Sequence, residues 1–198
     1  KTYDALAAGA VDVLEKPLGT EKNEDWERQL IAMVRLVSRI RVITHPRASL
    51  SRLKVTQPSR ASALPTRGEP MPQRHLIAIG ASTGGPSAVI SVLKALPIDF
   101  PLPILLVIHI SESFGAALAE WLDTQIHLPV RYAIDGEALP RPGKGCVLMA
   151  PPNRHLELIG SNLRLTNKPE RYSCRPSVDV LFESLAEHQA QRTVACLL

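Results

Sequence analysis

Short apolar runs alternate with helical patterns over residues 76–198, and this pattern predicts an α/β fold. The apolar and alternating runs predict strands at 76–79, 103–108, 130–134, 146–150, 155–159, 163–166 and 193–198. Apolar spacings of three and four, together with Pro86 in a first turn and Ser177 as an N-cap, predict helices at 86–96, 114–126 and 177–189. Strands that alternate with helices favour a largely parallel sheet flanked by helices.

The first 42 residues carry a separate pattern of helix, strand and helix. Helical composition covers residues 2–10, an alternating segment at 11–14 predicts a short strand, and residues 25–42 predict a longer helix. The apolar face of that helix consists of Trp26, Leu30, Met33, Val34, Val37 and Ile40. A unit this small buries little core alone. We therefore interpret residues 1–42 as the C-terminal part of a larger α/β domain.

Residues 43–75 are rich in proline and show no periodicity, which predicts an extended linker. Six basic side chains stand in it against one acid, Glu69. A basic segment can bind nucleic acid or anionic lipid, but this one has no aromatic residue on which bases could stack. We interpret it as a solvated tether and expect no nucleic-acid partner. No apolar run approaches the roughly 20 residues of a membrane helix, so we expect no direct membrane insertion.

The composition, 45% hydrophobic and 21% charged, is that of a globular protein. The three cysteines, Cys146, Cys174 and Cys196, form no CxxC pair and have no histidine at metal-ligand spacing. We therefore predict buried structural thiols, no metal site and a reducing, cytoplasmic location.

The segment Gly80-Ala81-Ser82-Thr83-Gly84 fits G-x-S-x-G and lies between a predicted strand and a predicted helix. Its glycines permit a sharp turn that exposes the hydroxyl of Ser82 as a nucleophile, and N–H groups at the helix start could hold an oxyanion. A phosphate- or nucleotide-binding turn is the alternative, although the pattern G-x-G-x-x-G and the P-loop pattern are both absent.

A serine needs a base, and His109 follows the next strand of the predicted sheet. The carboxyl ends of neighbouring parallel strands meet at one crevice, so we expect His109 to face Ser82. The weaker candidates are His45, His75, His127, His155 and His188. Asp135 and Asp179 are candidates for an orienting acid. A turn before glycine and a helix first turn explain them equally well.

Several ordered segments resemble the methylesterase domain of chemotaxis response regulators. They are Gly80-Ala81-Ser82-Thr83-Gly84-Gly85-Pro86, Val107-Ile108-His109-Ile110, Asp135-Gly136-Glu137, Ala150-Pro151-Pro152-Asn153-Arg154-His155-Leu156 and Arg175-Pro176-Ser177-Val178-Asp179-Val180-Leu181-Phe182. Upstream, residues 7–17 resemble the last third of a phospho-receiver domain. The resemblance thus implies part of a receiver at 1–42, a linker at 43–75 and a methylesterase catalytic domain at 76–198.

The resemblance also implies an activity, hydrolysis of glutamate methyl esters on chemoreceptors and deamidation of glutamine. Ser82 would be the nucleophile and His109 its base, with Thr83, Gly84 and Gly85 forming the turn and oxyanion site. Lys16 matches the receiver lysine that contacts the phosphoryl group. The implied partners are methyl-accepting chemoreceptors and a chemotaxis histidine kinase as phosphoryl donor. No cofactor is implied, except magnesium for an intact receiver.

Two residues of the family pattern are missing from the chain. The triad aspartate is expected in a Gly-Met-Gly-x-Asp-Gly turn after Leu198, and the phosphoacceptor aspartate before Lys1. We therefore expect a fragment truncated at both ends, whose third triad acid is absent. Two alternatives follow: a catalytically incomplete signalling or binding module, and another α/β serine hydrolase.

Overall fold

The computed structural model describes Ala5, Ala10 and residues 13–14, 24–39, 74–82, 85–109, 115 and 117–198. They belong to two compact units: residues 24–39 lie in the first, and residues 5, 10, 13–14 and 74–198 lie in the second. Lys16 and residues 43–73 of the predicted linker lie outside the described residues. Among the helices that are described, none is both long and apolar enough to cross a bilayer.

Helix α1 (Glu24–Arg39) is the described element of the first unit and matches the helix predicted at 25–42. Leu30 and Val34, from its predicted apolar face, are exposed to solvent. Val13 and Leu14, the described half of the predicted short strand, belong to no helix or strand. The assignment of residues 1–42 to a receiver domain stays a prediction.

The second unit contains a parallel sheet and a separate hairpin. Its strands are β1 (Leu76–Ala81), β2 (Pro103–Ile108), β3 (Val130–Tyr132), β4 (Cys146–Met149), β5 (His155–Ile159), β6 (Asn162–Thr166) and β7 (Thr193–Leu197). Five of them form a sheet in the order β3-β4-β2-β1-β7, and every neighbouring pair is parallel. The predicted fold class, a largely parallel sheet flanked by helices, is confirmed for this unit.

Strands β5 and β6 do not join that sheet. They pair with each other in antiparallel register, connected by Gly160 and Ser161. Leu156, Leu158 and Leu163 of the hairpin are fully buried. The hairpin is therefore a cover over the sheet rather than an extension of it.

The helices described in this unit are α2 (Gly85–Ala95), α3 (Leu118–Gln125) and α4 (Val178–Gln189), and a short 3-10 turn follows α4. Alternate residues of β2 point to opposite faces of the sheet. Ile104 and Leu106 pack with α2 and α3, whereas Leu105 packs with α4 and the hairpin. The sheet therefore lies between two apolar cores, and its buried strands have the near-continuous apolar sequence typical of parallel sheets.

The first turn of α4 lies directly on β1. A Cβ atom at Gly80 would come within 2.2 Å of Val178 Cγ1, so glycine is required for this approach. At the other end of β1, the N–H of His75 donates to the Arg192 carbonyl oxygen at 2.8 Å, and Arg74 Nη1 donates to the Gln191 carbonyl oxygen at 2.9 Å. The last two residues of the predicted linker are thus bound to the α/β unit.

Candidate active site

Ser82 and His109 lie side by side at the carboxyl edge of the sheet. The register of β1 and β2 pairs Ala81 with Ile108, so the next residue of each strand emerges at the same place. The N–H of His109 donates to the Ala81 carbonyl oxygen at 3.0 Å, which extends the ladder by one residue. Ser82 Oγ is 3.4 Å from His109 Nδ1, and the side chain of Ser82 is exposed. The predicted proximity of the two side chains is therefore present, at a distance that ligand-free sites often show.

The turn after Ser82 leads directly into α2. The Gly85 N–H donates to the Ser82 carbonyl oxygen at 2.7 Å, and a Cβ at Gly85 would meet Ala81 Cβ at 2.8 Å. Gly85 is thus a turn residue whose N–H is hydrogen bonded within the turn. Thr83 and Gly84 lie outside the described residues, so their part in an oxyanion site stays a prediction.

The electrostatics of His109 favour its neutral form. Burial lowers the pKa of the imidazole below its usual 6.5, although the negative charge of Asp179 acts to raise it. A neutral ring can accept a proton from a serine hydroxyl at neutral pH. When Nδ1 accepts, the ring proton resides on Nε2, and that nitrogen is buried without a hydrogen-bond partner among the described residues. An unpaired buried donor costs about 1–3 kcal/mol, so Nε2 is the position at which an orienting acceptor would contribute most.

Cys174 is a third side chain at this site, and it was not among the predicted site residues. Its Sγ lies 3.7 Å from His109 Nδ1. Burial, followed by the negative charges of Glu170 and Asp179, raises the thiol pKa, so the group is a neutral thiol at neutral pH. The available signal was its position directly before the family-like segment that begins at Arg175. All three cysteines are free. Cys196 is exposed and Cys146 and Cys174 are half-buried, so the prediction of buried thiols was wrong for Cys196 and is not fully met by the other two.

His155 holds the segment that carries Cys174. The ring is fully buried, and its Nε2 donates to the Pro169 carbonyl oxygen at 3.1 Å, while its Nδ1 accepts the Ser177 N–H at 3.1 Å. Ser177 occupies the predicted N-cap position of α4, but its side chain makes no capping hydrogen bond. The capping role predicted for its hydroxyl is therefore corrected, since the residue is anchored through its backbone instead.

Neither candidate acid is hydrogen bonded to His109 in the described part of the chain. Asp135 Oδ1 accepts the Leu165 N–H at 2.9 Å and lies 3.7 Å from Arg164 Nε; the Leu165 bond is the main cause of its lowered pKa. Asp135 therefore binds to strand β6 of the hairpin rather than to His109. Asp179 is exposed in the first turn of α4 and acts on His109 through its charge.

Of the remaining histidines, the three that the structure describes contact neither Ser82 nor His109. His127 and His188 are exposed, and His75, predicted to be exposed, is half-buried at the start of the α/β unit. His45 lies outside the described residues. Sequence reasoning thus predicted that Ser82 and His109 lie close together and did not anticipate the neighbouring Cys174 thiol.

Comparison with known proteins gives matches along the whole chain. A family profile described as CheB methylesterase matches residues 77–198. Protein-glutamate methylesterase/protein-glutamine glutaminase 1 of Cupriavidus pinatubonensis is 37% identical over 199 residues, covering 100% of this chain and 54% of that protein. The corresponding protein 2 of Anaeromyxobacter dehalogenans is 39% identical over 196 residues, covering 99% of this chain and 53% of that protein. The chain spans about half the length of these curated relatives.

A solved structure agrees with these matches. The crystal structure of the Thermotoga maritima CheB methylesterase catalytic domain aligns with a TM-score of 0.57 and 34% identity, covering 63% of this chain and 67% of that chain. The profile match extends over more than half of the chain and includes both Ser82 and His109. The chain belongs to the CheB methylesterase family.

Proposed function

We propose that this chain carries the catalytic site of a protein-glutamate methylesterase and glutamine deamidase that acts on chemoreceptors. The observation that carries the proposal is the 3.4 Å approach of Ser82 Oγ to His109 Nδ1 at the carboxyl edge of the sheet. The names of the relatives join an esterase and a glutaminase activity. One acyl-transfer site can perform both, because the two reactions differ only in the leaving group.

In the first half of the reaction, Ser82 Oγ attacks the carbonyl carbon of the glutamate ester. Its proton passes to His109 Nδ1, and the carbonyl electrons move onto oxygen to give a tetrahedral oxyanion. The Thr83 N–H is the proposed donor to that oxyanion. When the intermediate collapses, the bond from carbon to the methoxy oxygen breaks, and His109 returns the proton to that oxygen so that methanol leaves.

In the second half, water replaces methanol. His109 Nδ1 takes a proton from the water as its oxygen attacks the acyl carbon, and the bond to Ser82 Oγ then breaks as Oγ regains a proton. The product is a free glutamate side chain. For a glutamine substrate the first leaving group is ammonia, and the same acyl-enzyme follows.

We further propose that the orienting acid follows β7 in the full-length protein and accepts from His109 Nε2. The Leu198 N–H donates to the Gly80 carbonyl oxygen at 2.9 Å, two residues before Ser82. Residues that follow Leu198 would therefore start at the edge of the sheet that carries the serine. Loss of such an acid can reduce a rate by roughly 10⁴, so the activity of residues 1–198 alone is expected to be low.

The proposed control of this site is a receiver domain that covers it until a chemotaxis histidine kinase supplies a phosphoryl group. The support is the resemblance of residues 7–17, including Lys16, to a receiver. We expect a small-molecule phosphoryl donor to raise the esterase rate of the full-length protein. A rate that does not respond to the donor would contradict this part of the proposal.

The direct test is methanol release from methylated receptor membranes. Two chains are compared, residues 1–198 and a version extended through the Gly-Met-Gly-x-Asp-Gly turn. We expect release by the extended chain, reduced at least ~10³-fold by Ser82→Ala. Ser91→Ala is the matched control, because Ser91 Oγ donates to the Ser87 carbonyl oxygen within α2, at 2.9 Å, and should keep the rate. Equal release by both chains would mean that no acid after Leu198 is needed.

The second candidate function is a binding module without catalysis. The observation that favours it is the buried His109 Nε2, which has no acceptor in the described part of the chain. It would be supported if neither chain released methanol while both bound methylated receptor. A third outcome, rapid turnover of small activated esters without release from receptors, would indicate another kind of α/β serine hydrolase.

A further inference from the structure

A tight turn at residues 171–174 lies beside the site, and neither of its central residues is glycine. The Arg171 N–H donates to the Cys174 carbonyl oxygen at 3.1 Å, and the Cys174 N–H donates to the Arg171 carbonyl oxygen at 3.0 Å. Tyr172 and Ser173 both have positive φ, 50° and 59°. Turns of this kind strongly prefer Asn-Gly, and a left-handed non-glycine residue costs roughly 1–2 kcal/mol. The side chains at these positions are thus held in a conformation that the backbone disfavours.

The C-terminal residue of the turn, Cys174, contacts the proposed base. Cys174 Sγ is 3.7 Å from His109 Nδ1, the nitrogen that also faces Ser82 Oγ. Tyr172 precedes Cys174 by two residues, so their Cα atoms are at most about 7 Å apart. The Tyr172 side chain is nevertheless 81% exposed. A large aromatic side chain therefore stands in solvent at the rim of the proposed active site.

The N-terminal residue of the turn, Arg171, is held by an ion pair. Arg171 binds both carboxylate oxygens of Glu183 on α4, Nη2 donating to Oε1 at 2.6 Å. The same guanidinium lies 5.8 Å from the centre of the Tyr172 ring, within the range of a cation–π contact. The ring is therefore supported on one side before any ligand arrives, which lowers the entropic cost of binding. Because Glu183 neutralises Arg171, this contact suits an uncharged or aliphatic surface better than an anion.

We propose that Tyr172 is a specificity-determining residue that contacts the polypeptide carrying the ester, while Ser82 and His109 act on the ester group. The inference rests on the proposed function, since it concerns how that same site recognises a polypeptide substrate. Exposed aromatic residues are frequent hot spots in protein recognition. A small ester has no polypeptide surface for the tyrosine ring to contact.

The experiment compares two substrates in the extended chain described above. One is a synthetic helical peptide with a single glutamate γ-methyl ester, and the other is p-nitrophenyl acetate. We expect Tyr172→Asn to lower kcat/KM for the peptide about tenfold, through KM, and to leave the small ester within about twofold. Asparagine tolerates positive φ, so this variant keeps the turn while it removes the ring. Tyr172→Phe should keep most of the peptide activity, and Ile159→Ala is a control at an exposed residue of the hairpin.

Two kinetic outcomes would overturn the inference. An equal loss on both substrates would mean that Tyr172 acts by positioning His109, and no loss on the peptide would mean that it makes no contact. If no version hydrolyses either substrate, the proposed function fails, and binding of the labelled peptide to the Ser82→Ala chain becomes the test. Affinity about tenfold weaker with Tyr172→Asn would still support the contact, whereas unchanged affinity would exclude it.

Discussion

Strands β2 and β7 both pair with β1 in parallel register, one on each side, yet their environments differ completely. Every residue of β2 is buried, with apolar cores on both faces of the strand. In β7, four of five residues are exposed, including Val194 and Leu197. Strand β2 is therefore held by side-chain packing on both faces, whereas β7 is held mainly by backbone hydrogen bonds to β1. The proposed base follows the packed strand.

This difference indicates where the precision of the site comes from. The position of His109 depends on β2, whose side chains cannot shift without disturbing two cores. Surface side chains of β7 are connected to Ser82 mainly through the backbone ladder between β7 and β1. The pair of Ser82 and His109 should therefore tolerate surface changes in β7 and respond strongly to changes in β2.

The largest expected effect is a difference in destabilisation between a substitution in β2 and one in β7. Leu106 in β2 is fully buried, and Leu106→Ala should lower the free energy of unfolding by about 3–5 kcal/mol. Val194 in β7 is 42% exposed, and Val194→Ala should cost less than about 1 kcal/mol. Urea unfolding of the two variants measures both values. Similar losses would show that β7 is packed as firmly as β2 in solution.

A smaller effect is expected at Gly80, which lies in β1 between the two strands. Gly80→Ala places a methyl group against Val178 on α4 and should destabilise by about 1–3 kcal/mol. The double variant Gly80→Ala with Val178→Ala removes the opposing methyl groups and should be less destabilised than the sum of the single changes. A double-mutant cycle of unfolding free energies measures this coupling. Additive effects would contradict a direct contact between the two residues.

The smallest expected effect is a change in the pKa of His109, the proposed base that follows β2, caused by a nearby charge. Since burial lowers the pKa of His109 below 6.5, the acidic fall of kcat/KM should lie below pH 6.5. Asp179 raises that pKa, so Asp179→Asn should move the fall to still lower pH. A pH profile with p-nitrophenyl acetate measures the shift, and Glu187→Gln, an exposed residue later on α4, is the control. A shift to higher pH would contradict the assigned role of Asp179.

The same titration has a consequence for stability. The folded state holds His109 neutral, so it binds fewer protons than the unfolded chain between the lowered pKa and 6.5. The contribution of this group to stability is therefore present above pH 6.5 and is lost as the pH falls through that window. Across this window, the free energy of unfolding should rise more steeply with pH for the native chain than for His109→Gln. Measurement of both unfolding free energies at several pH values tests this difference.

Much of the fold could be predicted because local pattern and topology agree. The apolar runs of β1 and β2 have the composition of buried parallel strands, and the structure places both where the pattern predicts them. The proximity of Ser82 and His109 then follows from one rule, that the carboxyl ends of adjacent parallel strands meet. The two residues are 27 positions apart, and no further contact is needed to bring them together.

Other features depend on contacts that no local pattern shows. Cys174 is 65 positions from His109, and its approach depends on a turn whose central residues, Tyr172 and Ser173, disfavour positive φ. Residue preferences argue against such a turn.

The hairpin of β5 and β6, by contrast, could have been predicted from the sequence, because the two residues between its strands begin with Gly160, a hairpin signal.

The His155 ring has a consequence for spectroscopy. It donates from one nitrogen to Pro169 and accepts at the other from Ser177, so only one neutral tautomer satisfies both bonds. The ¹⁵N chemical shifts of its two nitrogens should therefore differ widely, one as a protonated and one as a bare ring nitrogen. The two hydrogen-bond partners, Pro169 and Ser177, lie on either side of the segment that carries Tyr172 and Cys174. The nitrogen shifts of the ring therefore report on the conformation of that segment. These signals should report any change in that segment when a substrate binds.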